Sequence, residues 1–312
     1  MTQPTDVKRV AVLGAGTIGA SWAGWFLSRG MTVDVWDPRP EAADYVRRYV
    51  AEAWPAMSRL GMAADASPNA WHFHTAPEAA VAAADFVQEN APERLPVKRD
   101  LFARIDKALR PDAILASSTS GLIMSEMQDG FESAPRFAVG HPFNPPHLIP
   151  LVEVVGGRQT AAETIAWCID FYRHIGKKPI HIRKEAAGHL ANRLQAALWR
   201  EAVSAVVTGL ASVEDVDTAI SAGPGLRWAA MGPHMTFHLG GGEGGMDHML
   251  QQFRPVFESW WATMSTPTLS DENCRQIIEG VRAEAQGRSI AELSAERDAI
   301  LLPLLELVAR RG

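Results

Sequence analysis

Cysteine is scarce in this chain of 312 residues, which has only Cys168 and Cys274. Two cysteines without a spacing pattern make neither a disulfide framework nor a metal knuckle. They read as small buried thiols in a reducing compartment. Long apolar runs are also missing. No stretch reaches the about 18 consecutive apolar residues of a membrane-spanning helix. The opening Met-Thr-Gln-Pro-Thr-Asp-Val-Lys-Arg lacks the apolar core of a secretory leader. A cytoplasmic protein without membrane partners is expected. Positive charge is short as well: 30 Lys and Arg against 36 Asp and Glu leave a net charge of −6. Neutralising phosphates needs a basic face, so a nucleic-acid partner is not expected. Tyrosine is rare at three residues, whereas tryptophan reaches ten. Bulky aromatics without hydroxyls suit a core, an interface or a pocket for a cation.

What is there is globular. The chain is 47% hydrophobic and long enough for about two domains with sizeable cores. In the first half, short apolar runs alternate with helical stretches. The runs are Arg9–Leu13, Thr32–Trp36, Asp85–Val87, Ala113–Ala116, Phe137–Val139, Leu151–Val155 and Pro179–Ile182. Continuous apolar runs of strand length suit strands covered on both faces. His72 and His74 flank Phe73 in the pattern of a half-exposed strand. Helices are expected over Thr17–Arg29, Pro40–Arg59, Val97–Leu109 and Ala161–His174. The alternation predicts an α/β fold, a Rossmann-type doubly wound and mainly parallel sheet. After about residue 185 no strand pattern remains. Leu190, Leu194, Ala197, Leu198, Ala202 and Val206 form a helical stripe, and Ser289 with Glu292 makes a capping box. The expected division is therefore 1–185 for a dinucleotide-binding domain and 186–312 for an all-helical domain.

Gly14-Ala15-Gly16-Thr17-Ile18-Gly19 follows the first predicted strand and opens a helix. In that context a GxGxxG motif cradles a pyrophosphate. Gly14 makes the tight turn, Gly16 lets the backbone approach the ligand, and Gly19 allows close helix–strand packing. Asp37 ends the next strand, where a carboxylate accepts hydrogen bonds from a ribose 2′-OH and repels a 2′-phosphate. NAD is the expected cofactor. Arg39, two residues on, is the group that would blunt this preference.

Four further motifs follow in order. They are Ala116-Ser117-Ser118-Thr119-Ser120-Gly121-Leu122, Gly140-His141-Pro142-Phe143-Asn144-Pro145, Leu151-Val152-Glu153-Val154 and Gly188-His189-Leu190-Ala191-Asn192-Arg193-Leu194. With the GxGxxG they resemble the 3-hydroxyacyl-CoA dehydrogenase family over nearly the whole chain. The resemblance implies His141 as catalytic base, Glu153 as its partner, and Ser120 and Asn192 at the substrate oxygen. It also implies Glu93, Lys98 and Ser120 on the cofactor side, and a homodimer formed through the helical domain, while Asn144, in the same loop as His141, is expected to help position the nicotinamide cofactor or the substrate. Each role has a chemical reason. Oxidising a secondary alcohol removes a proton as hydride leaves carbon, and a histidine suits that transfer. A carboxylate on its other nitrogen fixes the tautomer. A glutamate inside an apolar strand is costly unless paired.

The family's acyl-CoA branch holds CoA phosphates with a lysine-rich segment after the second strand. Here Pro40–Trp54 carries Arg47 and Arg48 and no lysine. Glu52–Met57, Gly223–Gly232, Gly241–His248 and Gly287–Leu293 resemble instead the branch that oxidises L-carnitine to 3-dehydrocarnitine. Gulonate-oxidising relatives and the lambda-crystallins share part of this pattern. The alternatives are therefore L-gulonate, a 3-hydroxyacyl-CoA, or a non-catalytic NAD-binding crystallin-like protein. A trimethylammonium cannot donate a hydrogen bond and is best held by aromatic faces. Trp199, Trp228 and Phe237 are candidates for it, and Arg193 and Arg227 for a substrate carboxylate. His234 and His238 have metal-ligand spacing without a third ligand, so no metal is expected.

Overall fold

The computed structural model describes residues 2–309. Eight strands form one sheet: β1 Arg9–Leu13, β2 Thr32–Trp36, β3 Trp71–His74, β4 Phe86–Glu89, β5 Ile114–Ser117, β6 Phe137–Pro142, β7 Leu151–Gly156 and β8 Lys178–His181. Their order is β3-β2-β1-β4-β5-β6-β7-β8. The strands from β3 to β6 are mutually parallel. β7 runs antiparallel to β6 and β8 parallel to β7. The doubly wound, mainly parallel sheet is therefore present. Its strand order reverses between β1 and β4, which opens a crevice at their C-terminal ends.

Six helices accompany these strands: α1 Thr17–Ser28, α2 Ala42–Arg59, α3 Pro77–Val81, α4 Leu95–Ile105, α5 Met124–Met127 and α6 Ala162–His174. Successive strand residues feed two different cores, as the period of two requires. Val10 and Val12 pack with Trp22, Phe26, Phe86 and Phe171, whereas Ala11 and Leu13 pack with Leu101, Phe102 and Phe137. That is why β1 reads as a continuous apolar run. α1 is buried from Gly19 to Ser28, while α2 buries one face through Ala42, Val46, Val50, Ala53 and Met57. α4 starts two residues before the expected Val97, because Pro96 fits the first helical turn.

The remaining helices are α7 Ala191–Val207, α8 Val213–Ser221, α9 Pro224–Ala230, α10 Pro233–Gly240, α11 Gly245–Thr263, α12 Asp271–Ala285 and α13 Ile290–Ala309. Among the described residues no strand follows β8. The chain divides into two compact units, one ending at Asn192 and the next beginning at Arg193. No described helix is long and apolar enough to cross a membrane.

Candidate active site

The crevice at the strand reversal is a cleft of about 630 Å³, lined by Gly14, Gly16, Asp37, Asn90 and Arg39 among others. Gly14 has φ +87°, and a Cβ there would meet Asn90 O at 2.6 Å. A Cβ on Gly19 would meet Gly14 O at 1.9 Å, so the α1 helix can sit this close only with glycine. Around Gly16 the space is open, with nothing within 4 Å of such a Cβ, and no side chain caps the helix start. The free N–H groups at α1 are left for an anion such as a pyrophosphate. Asp37 Oδ2 accepts the Ala15 N–H at 2.8 Å, while Arg39 donates to Oδ1 at 2.9 Å. Burial opposes the Asp37 charge, but Arg39 and the Ala15 N–H outweigh it and hold the carboxyl below its usual range. These residues fit NAD. Arg39 and the Ala15 N–H hold the Asp37 carboxylate in place at the cleft.

Strand register builds a histidine–carboxylate pair. His141 on β6 lies directly opposite Glu153 on β7, and opposed residues of an antiparallel pair share a face. His141 Nδ1 is 2.8 Å from Glu153 Oε2. The other oxygen, Oε1, accepts the N–H groups of Leu190 at 3.0 Å and Ala191 at 2.8 Å, where α7 opens. Glu153 is fully buried. Burial opposes its charge, but His141 and the two N–H groups prevail and keep the carboxyl below its usual range. A charged carboxylate only accepts, so His141 Nδ1 donates, and in the neutral ring Nε2 is then the acceptor. The Phe143 ring stands 5.4 Å from His141.

Asn144 follows and is exposed, at the start of a loop that is buried from Pro145 to Leu148 and that two buried side chains brace. Lys177 Nζ donates to Pro146 O and lies 3.7 Å from the Trp25 ring centre. Ser21 Oγ, on α1, accepts the His147 N–H at 2.9 Å.

The Ser120 segment is organised by Glu93. Its Oε1 accepts the Thr119 hydroxyl at 2.7 Å, the Ser120 N–H at 2.9 Å, the Ser120 hydroxyl at 3.2 Å and the Gly121 N–H at 2.9 Å. Burial works against this carboxylate, yet the Thr119 hydroxyl, Lys98 and the N–H groups leave it below its usual range. Asn192 Nδ2 donates to Ser120 O at 3.3 Å. The fold thus gathers Ser120, His141, Glu153 and Asn192 in one unit. Lys98 corrects the expectation of a cofactor contact. It is 1% exposed, and its ammonium donates to Glu89 at 2.8 and 3.0 Å and to Ala91 O at 2.9 Å. It braces the wall of the cleft from beneath.

The substrate candidates lie in the second unit. Arg193 is exposed at its start, and Arg227 and Trp228 are exposed on α9. Trp199 shares a groove with Asp217 and Glu284. Phe237 lines an apolar cavity of about 230 Å³ with Phe257 and Trp261. His238 Nδ1 accepts the Met246 N–H at 3.1 Å. Sequence reasoning gave no role to His189, whose ring centre is 5.3 Å from that of His141. The available signal was a histidine directly after Gly188 at the mouth of an apolar helix.

Comparison with known proteins agrees with this geometry. The description "3-hydroxyacyl-CoA dehydrogenase, NAD binding domain" matches residues 9–186, and that family's C-terminal domain matches residues 188–268. An L-carnitine dehydrogenase of Streptomyces coelicolor is 51% identical over 312 residues, covering 100% of this chain and 98% of that protein. One from Pseudomonas aeruginosa is 44% identical over 316 residues, covering 100% and 98%. Among solved structures, an NAD+-dependent dismutase, 5-formyl-3-hydroxy-2-methylpyridine 4-carboxylic acid 5-dehydrogenase, superposes with a TM-score of 0.83. It has 28% identity and covers 97% of this chain and 98% of its own. A 3-hydroxyacyl-CoA dehydrogenase of Archaeoglobus fulgidus gives 0.68 at 26% identity, covering 96% and 99%. A dinucleotide cleft at the strand reversal, a histidine–carboxylate pair at the next strand ends and this full-length similarity lead to one identification: the chain belongs to the 3-hydroxyacyl-CoA dehydrogenase family and is an NAD-dependent dehydrogenase of 3-hydroxy acids.

Proposed function

We propose that this dehydrogenase oxidises L-carnitine to 3-dehydrocarnitine with His141 as general base. The observation that carries the chemistry is the His141–Glu153 pair at 2.8 Å. With Nδ1 committed to Glu153, Nε2 takes the C3 hydroxyl proton as hydride leaves C3. Glu153 stabilises the imidazolium that results. Bound NAD supplies the hydride acceptor. The Ser120 hydroxyl and the Asn192 amide hydrogen-bond the substrate oxygen as it becomes a carbonyl. Glu93 orients Ser120, and Lys98 acts through Glu89 and Ala91. Asn144 is the proposed neighbour of the nicotinamide or of the substrate.

The substrate rests on the relatives named L-carnitine dehydrogenase and on the lysine-free Pro40–Trp54 segment, which suits an acid without CoA phosphates. Trp199 beside Asp217 and Glu284 offers an aromatic face and negative charge, the pairing a trimethylammonium selects. Arg193 and Arg227 are the proposed partners of the carboxylate. The same proposal includes a homodimer through the helical unit, supported by the exposed Trp199, Trp260, Trp261 and Leu304.

The test is NADH formation by the purified protein with L-carnitine, D-carnitine, L-gulonate and 3-hydroxybutyryl-CoA in parallel. Turnover of L-carnitine is expected, with a higher KM in W199A. Activity confined to gulonate or the CoA ester would reject the substrate and leave the His141 chemistry standing.

A further inference from the structure

His189 is used by nothing described so far. It stands in the left-handed region, φ 51°, an uncommon place for a residue with a side chain. It is 3% exposed. Its Nε2 lies 3.0 Å from Thr119 O. A carbonyl only accepts, so Nε2 carries the proton. Its Nδ1 is buried without a hydrogen-bond partner. A protonated ring would bury a second N–H with nothing to accept it, so the surroundings select the neutral tautomer. Burial lowers the basicity of this ring further. The Thr119 carbonyl opposes that lowering, His141 on β6 adds to it, and Glu153 on β7 and Glu93 after β4 oppose it.

Three connections meet at this residue. The side chain holds the carbonyl immediately before Ser120. The ring is tilted 46° to that of His141 at 5.3 Å. The left-handed turn at Gly188 and His189 sends the next two N–H groups, from Leu190 and Ala191, onto Glu153 Oε1. A displacement here would be felt at Ser120, His141 and Glu153 together.

The geometry points to His189 as a positioning residue of the hydride-transfer site, whose Nε2–H fixes the Thr119 carbonyl and the Ser120 segment relative to the His141–Glu153 pair. The inference rests on the reading of His141 as base. A neutral imidazole suits the task because it donates to the carbonyl without competing for Glu153. A phenylalanine fills the same space but removes the donor and strands the carbonyl.

The experiment compares H189F, H189Q and H141Q as full-length proteins saturated with NAD. H189F is expected to lose about tenfold to a hundredfold in kcat, with NAD affinity unchanged. H189Q keeps an N–H for Thr119 O and is expected to recover most of that loss. A merely structural role would lower the thermal midpoint and spare kcat per folded site. Wild-type kcat in H189F overturns the proposal, and so do equal losses in H189F and H189Q. Activity retained in H141Q rejects the base reading and this inference with it. Loss in H141Q beside full activity in H189F rejects this inference alone. Should the His189 variants not fold, imidazole nitrogen NMR of the wild-type enzyme decides, with His189 assigned through its contact with Thr119. A neutral Nε2–H ring through mildly acidic pH supports the proposal, and a charged ring or an Nδ1–H tautomer overturns it.

Discussion

The two units spend their tryptophans in opposite ways. In the first, Trp22, Trp25, Trp36 and Trp167 are each less than 9% exposed and help close the core on both faces of the sheet. In the second, Trp199, Trp228, Trp260 and Trp261 are 37% to 64% exposed. Val203, Val206, Met249 and Leu302 are the buried apolar side chains among the described residues there. The first unit thus completes a core from its own elements. The second presents helices with exposed apolar side chains among the described residues. Removing large apolar side chains from water is the main driving force for folding, so the proposed homodimer would stabilise a helical unit arranged in this way. The proposed chemistry follows the same division, because the His141–Glu153 pair lies wholly within the first unit.

The sharpest test of that division is H141Q. A loss of about 10² to 10⁴ in kcat is expected, with NADH affinity and assembly state unchanged. Steady-state rates, fluorescence titration of NADH and sedimentation check the three parts. A dimer disrupted by H141Q would break the separation of chemistry from assembly.

Next in size is a matched pair of truncations. Phe86 is fully buried, with its ring centre 4.5 Å from that of Phe171 and 5.8 Å from that of Trp167. F86A should cost about 3–5 kcal/mol, to the same degree at every protein concentration. Trp261 is 64% exposed, so within one chain W261A should cost little. Against a second copy it should lower the thermal midpoint in dilute protein and much less in concentrated protein. The same midpoint for W261A and wild type at every dilution would remove Trp261 from the interface.

Acidification should also separate the units, and here the signs differ. Asp37, Glu93 and Glu153 in the first unit are held below the usual carboxylate range. Their stabilisation is complete above the unfolded carboxylate pKa and is lost as pH falls through the lowered folded values. Glu284 in the second unit is raised, first by burial and then by Asp217 and Glu214. Its folded form binds the proton more readily, so the strain it adds at neutral pH is relieved as pH falls through the upper carboxylate range. Hydrogen exchange at decreasing pH should therefore lose protection in β6 and β7 before α12. The reverse order would contradict these assignments.

What the sequence disclosed follows the same line. β1 and β2 were legible to the residue because both of their faces are covered, which leaves apolar runs broken inside β2 only by the ion-paired Asp34. GxGxxG and Asp37 were legible because their roles depend on backbone geometry within a few residues. The pairing of His141 with Glu153 was legible only through the family resemblance, because it depends on β7 turning antiparallel to β6. No local pattern fixes that reversal. Lys98 was found but misplaced: its pairing with Glu89, nine residues earlier, depends on how α4 docks under the end of β4. His189 escaped because its role comes from a left-handed turn and a carbonyl seventy residues away. In the second unit the sequence marked helix starts well. Ser289 caps α13 as its motif predicts, and Ser212 caps α8 in the same way. It did not reveal what covers the helices' apolar faces, and among the described residues many of those side chains stay exposed.

The smallest expected effect tests whether local order in the second unit stands apart from its packing. Ser289 Oγ accepts the Glu292 N–H at 3.2 Å, and Glu292 Oε2 accepts the Ser289 N–H at 2.8 Å, so two free donors at the α13 start are satisfied reciprocally. S289A should cost about 1 kcal/mol, because the Glu292 N–H is exposed and water replaces part of the bond. A purely local cap shifts thermal unfolding equally in dilute and concentrated protein and leaves sedimentation unchanged. If S289A instead weakens association, α13 is ordered only together with the second copy. The apolar face carrying Ile300, Leu304 and Leu307 would then belong to the interface from its first turn.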